Sequence, residues 1–486
     1  MTDEQLVQKV WNLASVLRDD GVSSRYYVEQ ITYLLFLKMD QERVDELNED
    51  SDIPSKWRWE KLVNKDGEEL EKQYRGTLEA LGNKRGLIGV IFRKAENKLS
   101  NPAKLKRIVS LIDKEGPWTG LGVDVKGEIY EGLLERSASE VKSGAGQYFT
   151  PRPIIEAIVK CINPKISDKV CDPACGTGGF LLAAYDHMKT KSKDRKKLDA
   201  LRNKSFTGVD ISDEVVRLCA MNLYLHNIGN GGSPVTQGDA LLSAGEARYD
   251  IVLANPPFGK KSSHKIIGED GKVSNERENY EREDFRFSTS NKQFNFLQHI
   301  MTILKTNGRA GVVMPDNILF ESGRVGEGIR KQLLENFNFH TLLRLPTGIW
   351  YSQGVKANVL FFDKRSPTSR GHQTKELWIY DYRTNIRKTL KNERLNRGDL
   401  QDFIDCYQNK PRKETKRFKR FTYEELVQRD KLSLDVFWLK DNNKQEDVDS
   451  LPEPDILSAK IVKNLKSALE QFQDVSQELS YKEAKE

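Results

Sequence analysis

The sequence lacks any run of about eighteen apolar residues, so it offers no helix able to cross a membrane. Cysteine is scarce and odd in number: Cys161, Cys171, Cys175, Cys219 and Cys406. Such a scattered set implies no disulfide framework and fits a reducing compartment. Cys171 and Cys175 stand four apart with no His-x-Glu and no second cysteine pair to match, so no metal site is expected. The polar start, Met1-Thr2-Asp3-Glu4-Gln5, carries no readable signal peptide, and the expected location is the cytoplasm. A strong excess of one charge is missing too. The net charge of +6 neither diagnoses nor opposes nucleic-acid binding. Internal repeats are absent.

What is present is a chain of 486 residues, 37% hydrophobic and 31% charged, the make-up of a soluble globular protein of about two to four domains. The first 140 residues read as all-α. A long helical pattern over 24–47 carries Tyr27, Ile31, Leu34, Leu35 and Val44, and shorter ones follow near 69–80, 86–98 and 102–113. The texture changes at Ser143-Gly144-Ala145-Gly146. Candidate strands Lys169–Cys171, Phe206–Val209, Tyr249–Ala254, Ala310–Met314, Thr341–Leu345 and Asn358–Phe362 alternate with helical stretches at 178–189, 213–227, 291–306 and 323–336. The alternation predicts an α/β domain built on a mostly parallel sheet, with an antiparallel edge where the last strands crowd together. The polar stretch 259–290 interrupts it and reads as a long mobile loop. From 383 to 420, 13 Lys/Arg face 5 Asp/Glu, which is a solvated surface or a phosphate-contacting one. Leu457, Ile461, Leu465, Ala468, Phe472, Val475 and Leu479 make a near-heptad seam for a partner helix or for the chain's own domain. The expected domains are thus 1–142 (helical), 143–382 (catalytic), 383–453 (basic) and 454–486 (C-terminal helix).

Asp172-Pro173-Ala174-Cys175-Gly176-Thr177-Gly178-Gly179-Phe180 follows a predicted strand and opens a helix. Glycines let such a turn approach a ligand closely. Leu181 stands where a dinucleotide fingerprint needs glycine, and no Gly-Lys-Ser/Thr follows, so both phosphate-binding readings fail. Asp210 ends the next strand, where its two oxygens suit ribose hydroxyls. Asp239 ends the one after, where it could accept from an adenine amino group. Together these describe a nucleoside pocket without a phosphate clamp.

The strongest signal is Asn255-Pro256-Pro257-Phe258 at the end of the strand Tyr249–Ala254. Pro256 and Pro257 fix the backbone and leave carbonyls free to accept; the Asn255 side-chain oxygen is a further acceptor. An exocyclic adenine amine is a poor nucleophile, because its lone pair is delocalised into the ring. Accepting its hydrogens localises charge on nitrogen as it attacks a sulfonium methyl group. Asn255 is no base, so its work is orientation and electrostatic stabilisation. Phe258 offers a flat face to an extruded base.

At these residues the chain resembles the modification subunits of type I restriction–modification systems, which are N6-adenine DNA methyltransferases. Asp172–Phe180 looks like the family's cofactor motif and Asn255–Phe258 like its amino-methyltransferase motif. Gly146-Gln147-Tyr148-Phe149-Thr150-Pro151-Arg152 is similar to its third signature. The resemblance covers about residues 1–365. It implies a Rossmann-like fold that uses S-adenosyl-L-methionine. The implied cofactor contacts are Gln147, Tyr148, Phe149, Thr150, Asp172, Cys175, Gly176, Thr177, Gly178, Gly179, Asp210 and Asp239. It further implies double-stranded DNA as substrate, two such chains on one specificity subunit, an optional restriction subunit and a prokaryotic cytoplasm. The heptad-like tail is the natural contact for the specificity subunit.

Other readings stay open at this point. RNA-guanine and protein-glutamine methyltransferases also carry Asn-Pro-Pro-Tyr or -Phe, but they are shorter and need no long helical N-terminal domain. N4-cytosine enzymes usually carry Ser at position 255. A catalytically silent scaffold of a defence complex would not need an intact Asn255 and glycine turn, and a self-sufficient methyltransferase would need a reading domain that is not evident.

Overall fold

The computed structural model describes residues 3–23, 26–48, 50–115, 118, 150–229, 231–258, 263–267, 273–277, 280–350, 354–366, 371–389, 393–440, 458 and 462. The chain divides into two compact units, Met1–Phe437 and Trp438–Glu486. The boundary expected at 142/143 lies outside the described residues. So does the expected C-terminal helix, except Ser458 and Val462, both helical and exposed.

The first unit opens with helices Asp3–Asp19, Tyr27–Leu47, Glu60–Val63, Gly67–Gly82, Gly86–Phe92 and Pro102–Glu115. Helix Tyr27–Leu47, read as a helical pattern over 24–47, is buried on nearly every side, with Gln30, Thr32, Asp40 and Arg43 inside as well as Ile31, Leu34 and Leu35. Buried polar groups need partners: Gln30 donates to the Glu96 carbonyl (2.9 Å), Asp40 Oδ2 accepts from the Ser51 hydroxyl (2.6 Å), and Arg43 donates to the Tyr224 carbonyl (2.8 Å). Tyr224 belongs to helix Asp213–Leu225, so the N-terminal helices lie directly against the sheet-bearing part. The helix expected over 86–98 stops at Phe92.

Among the described residues the sheet has nine strands: β1 (Val170–Asp172), β2 (Phe206–Asp210), β3 (Val235–Gln237), β4 (Tyr249–Ala254), β7 (Leu304–Pro315), β8 (Phe337–Arg344), β9 (Ala357–Lys364), β10 (Glu376–Asp381) and β11 (Phe418–Thr422). Their order is β11-β10-β8-β9-β7-β4-β1-β2-β3. Strands β3, β2, β1, β4 and β7 run parallel, as do β8 and β10. An antiparallel edge is present in β11. A second antiparallel strand, β9, sits inside the sheet between β7 and β8. It carries the apolar run Val359–Phe362, which is fully buried, as an interior strand must be. Strands β10 and β11 and helices Arg152–Ile162, Arg195–Lys204 and Gln401–Gln408 were not foreseen.

Within the stretch read as a mobile loop, the described residues include an antiparallel hairpin, β5 (Ser263–Ile267) and β6 (Val273–Arg277), and Tyr280 after it bonds Asp239 beyond β3 (2.8 Å). The basic stretch is partly structural. Arg412 donates to the His340 carbonyl (3.1 Å) and Arg417 to the Asp381 carbonyl (2.8 Å), which ties this segment across the sheet. Lys413, Lys416 and Arg420 remain exposed.

Candidate active site

The glycine turn leaves the carboxyl end of β1. Asp172 Oδ1 accepts from the Ala174 amide (3.0 Å), which starts the turn. The Cys175 amide donates to the Val209 carbonyl of β2 (3.0 Å), and the Gly178 amide donates back to the Cys175 carbonyl (2.8 Å). Gly176 and Gly178 have φ of +54° and +88°, the left-handed region where side chains are strained. Below the turn there is no space: a Cβ at Gly178 would meet Cys219 Sγ at 2.8 Å. Asn222 fixes the turn from the same helix by donating to the Thr177 carbonyl (2.9 Å). Above it there is room among the described residues, since a Cβ at Gly176 would meet none of them within 4 Å. The turn is thus rigid on its inner side and open on its outer side, the form of a cradle for a ligand.

Asp210, at the end of β2, reaches back to this turn. Its Oδ2 accepts from the Gly176 amide (3.1 Å), and its Oδ1 accepts from Ser212 (3.0 Å). Ser212 then caps helix Asp213–Leu225. Asp239 follows β3 and is joined to Asp210 through the Gly238 amide, which donates to the Asp210 carbonyl (2.9 Å). Asp239 Oδ1 accepts from the Leu241 amide (2.9 Å) and Oδ2 from the Tyr280 hydroxyl (2.8 Å). Burial pushes the Asp172 carboxyl up to about 8, and the nearby Asp210 charge adds to this. Burial likewise raises Asp210, although backbone donors oppose it. Two carboxyls that resist ionisation favour a ligand that brings donors or positive charge.

The second half of the site stands at the end of β4, which pairs directly with β1. Neighbouring strands lie about 4.8 Å apart, so the two motifs share one edge of the sheet. Asn255 Nδ2 donates to Thr150 Oγ1 (2.8 Å). That bond holds the carboxamide plane, and in this arrangement its Oδ1 end faces away from Thr150. Pro256 is buried and Pro257 exposed. Phe258 is half-buried and meets Trp350 edge-on, with ring centroids 5.6 Å apart and planes at 72°. Trp350 is buried, and its Nε1 has no hydrogen-bond partner among the described residues.

The structure therefore brings together Asp172, Cys175, Gly176, Thr177, Gly178, Gly179, Asp210, Asp239 and Asn255–Phe258 at the carboxyl ends of β1, β2, β3 and β4. Thr150 is placed against Asn255. Gln147, Tyr148 and Phe149 lie outside the described residues. Sequence reasoning missed four neighbours. Ile211 and Leu242 are each 67% exposed beside the two aspartates, a large apolar exposure that suits the faces of a planar ring. Ile211 was findable, as an apolar residue between an acidic strand end and a capping serine. Tyr280 and Trp350 were not, because neither adjoins a motif in the sequence.

Residues 122–447 match the family model described as N-6 DNA Methylase, and residues 6–112 match the one described as HsdM N-terminal domain. The chain is 36% identical to the StySPI methylase subunit of the type I restriction enzyme from Salmonella potsdam and 36% identical to the EcoKI methylase subunit from Escherichia coli K12. Each comparison covers 99% of this chain and 96% of the relative. The crystal structure of the EcoKI M protein superposes with a TM-score of 0.55 at 33% identity, covering 98% of this chain and 96% of that one. The type I methyltransferase subunit from Streptococcus thermophilus shares the fold, with a TM-score of 0.66 at 19% identity over 88% of this chain and 97% of that one. With the glycine turn and the Asn-Pro-Pro-Phe turn side by side on such a sheet, the chain belongs to the N-6 DNA methylase family, among the methylase subunits of type I restriction enzymes.

Proposed function

We propose that this chain methylates the N6 amino group of adenine in DNA, with S-adenosyl-L-methionine as donor, as the modification subunit that protects host DNA from its own restriction system. The observation that carries this reading is the adjacency of β1 and β4, which sets the glycine turn and Asn255 on neighbouring strand ends. A donor held on one and an acceptor held on the other need no further travel to meet.

The residues fit the cofactor. Among the described residues, the open side of Gly176 and the equally open Gly238 leave backbone accessible at both aspartates. Asp210 would accept from the ribose hydroxyls and Asp239 from the adenine amino group, with Ile211 and Leu242 against the ring. The turn Asp172–Gly179, with Cys175 and Thr177 in it, would cradle the rest, and Gln147, Tyr148 and Phe149 would cover it. When bound, the cofactor supplies an electrophilic methyl group on a sulfonium centre.

The chain's own work is positioning. With its Nδ2 turned toward Thr150, Asn255 offers its Oδ1 to an amino hydrogen of the target adenine. The backbone around Pro256 and Pro257 offers carbonyls to the other. Charge then gathers on nitrogen as it attacks, and these fixed acceptors stabilise it most in the transition state. Phe258 stacks on the extruded base, and Trp350 holds the Phe258 ring at its edge. Substrate reading belongs to a separate specificity subunit, with two methylase chains on one such subunit and a restriction subunit as an optional addition. The tail after about 455 is its contact, and the exposed Lys413, Lys416 and Arg420 would face DNA phosphates.

The test is single-molecule sequencing of host DNA, scoring N6-methyladenine with the gene intact and with Asn255→Ala. Methyladenine at a split recognition sequence only with the intact gene supports the reading. Identical genomes would remove DNA adenine as the substrate and bring forward an RNA or protein amide, or a silent scaffold.

A further inference from the structure

The long insertion after Asn255–Phe258 returns to the fold at a specific place. Tyr280, buried with 7% exposure, donates its hydroxyl to Asp239 Oδ2 (2.8 Å). Two residues on, Arg282 donates to the Leu241 carbonyl (3.1 Å), in the loop that Asp239 itself begins. Arg282 is held in turn by Asp284, with bonds of 2.9 and 2.5 Å to its two oxygens, and by His299 Nδ1 (3.1 Å). Burial and the Arg282 charge push His299 down to about 4, so its ring is neutral and can accept from the guanidinium. The limb 280–285 is therefore a built clamp on the loop after β3.

We propose that Tyr280 is a specificity-determining residue for the cofactor: it holds the Asp239 carboxylate in the one orientation that accepts from the 6-amino group of the cofactor's adenine. Each Asp239 oxygen already has one fixed donor, the Leu241 amide on Oδ1 and the Tyr280 hydroxyl on Oδ2. Two donors on different oxygens lock the carboxylate plane, and the lone pairs that remain point in fixed directions. An acceptor so fixed welcomes a donor and repels another acceptor. A purine that carries a carbonyl at position 6 meets oxygen against oxygen, whereas adenine meets oxygen with N–H. Without the phenol the carboxylate keeps only the Leu241 amide and can rock about its last bond, and both the gain with the amino group and the penalty with the carbonyl shrink. Tyr280 acts in this way only if Asp239 receives the adenine amino group, as proposed above.

Binding of S-adenosylhomocysteine and of S-inosylhomocysteine, which has a carbonyl in place of the amino group, is to be measured by calorimetry on the full chain. Wild type should prefer the adenosyl ligand. Tyr280→Phe keeps the ring and its packing and removes only the hydroxyl. It should weaken the adenosyl ligand by about three- to tenfold and should leave the inosyl ligand unchanged or slightly tighter. Arg282→Lys loosens the same limb without touching Asp239 and should affect both ligands alike. Equal weakening of both ligands by Tyr280→Phe, no weakening of either, or the same selective loss from Arg282→Lys would each overturn the role of the hydroxyl. Asp239→Ala reads the parent assignment separately. It should erase the preference, and a preference that survives it, or is missing in wild type, overturns the Asp239 assignment and with it the route through Tyr280.

Discussion

Thr150→Val separates two roles for one residue. The family resemblance places Thr150 among cofactor contacts, whereas in the structure its Oγ1 accepts from Asn255 Nδ2 at 2.8 Å. Valine has nearly the same shape and no acceptor. The carboxamide then loses the bond that holds its plane, and its Nδ2 is left without that acceptor in a half-buried place. A net neutral hydrogen bond contributes about 0.5–1.5 kcal/mol, and an unsatisfied donor costs about 1–3 kcal/mol. If this falls on the methyl-transfer step, at about 1.4 kcal/mol per tenfold, kcat drops by about five- to hundredfold. Cofactor affinity should stay within about twofold, because nothing on the glycine turn moves. Thr150→Ser restores the hydroxyl and should restore most of the rate. The assay is labelled-methyl transfer to a duplex by the assembled complex, with cofactor binding measured by calorimetry in parallel. A valine variant with normal kcat and weakened cofactor binding would refute the reasoning and return Thr150 to the cofactor.

Asp210→Ala should weaken cofactor binding by about tenfold, since it removes a carboxyl acceptor and also the Oδ2 that holds the Gly176 amide; an unchanged dissociation constant would sink its ribose role. Asp172 has a folded-state value pushed to about 8 against an ordinary 3.8, so the folded chain keeps a proton that the unfolded chain releases. Its contribution to stability is full below pH 4 and is lost as pH rises toward 8, on the order of several kcal/mol in the cofactor-free chain. Asp172→Asn should flatten that part of the melting-temperature profile between pH 5 and 8, and a variant with the wild-type slope would show the titrating group to be elsewhere. Deleting the chain after about residue 455 should abolish co-purification with a specificity subunit while leaving the melting transition of the compact unit Met1–Phe437 in place; continued co-purification would refute the tail's role.

The motifs were legible because their physics is local. A strand that runs into glycines, or into Asn-Pro-Pro-Phe, announces its turn without help from the rest of the chain. The candidate strands β1, β2, β4, β7, β8 and β9 were found for a similar reason, as short apolar runs between helical stretches. What was hidden depends on distant partners. Helix Gly86–Phe92 is cut short although its helical pattern runs on, because Arg93 turns away to meet Asp213 and Gln237 on the catalytic part. Helix Tyr27–Leu47 carries Gln30, Asp40 and Arg43 on faces that look solvated in sequence, yet Arg43 is buried beneath Tyr224. Strand β11, Phe418-Lys419-Arg420-Phe421-Thr422, is too polar to read as a strand and exists as an edge partner of β10. Tyr280 lies 41 residues from Asp239 with no motif around it, so only the fold makes them neighbours.

The N-terminal helices are tied to the cofactor strands by more than packing. Arg217, on the helix capped by Ser212, pairs with Glu29 of the N-terminal helices (2.6 Å) and with Asp213 (2.6 Å), and it also meets the Tyr33 hydroxyl. Asp213 also receives Arg93, which reaches on to Gln237 Oε1 (3.2 Å). Glu29, Arg217, Asp213, Arg93 and Gln237 therefore form one chain of contacts. Its far end stands two residues before Asp239, and its middle stands three residues after Asp210. Arg217 keeps only 12% side-chain exposure, and a partly buried charge held by two carboxylates is costly to separate from either. Any change in how the N-terminal helices sit must move these groups together. The strand ends that carry both aspartates are thus set from two directions: from within by the sheet register, and from outside by a helical layer that contributes no side chain to the candidate cofactor contacts.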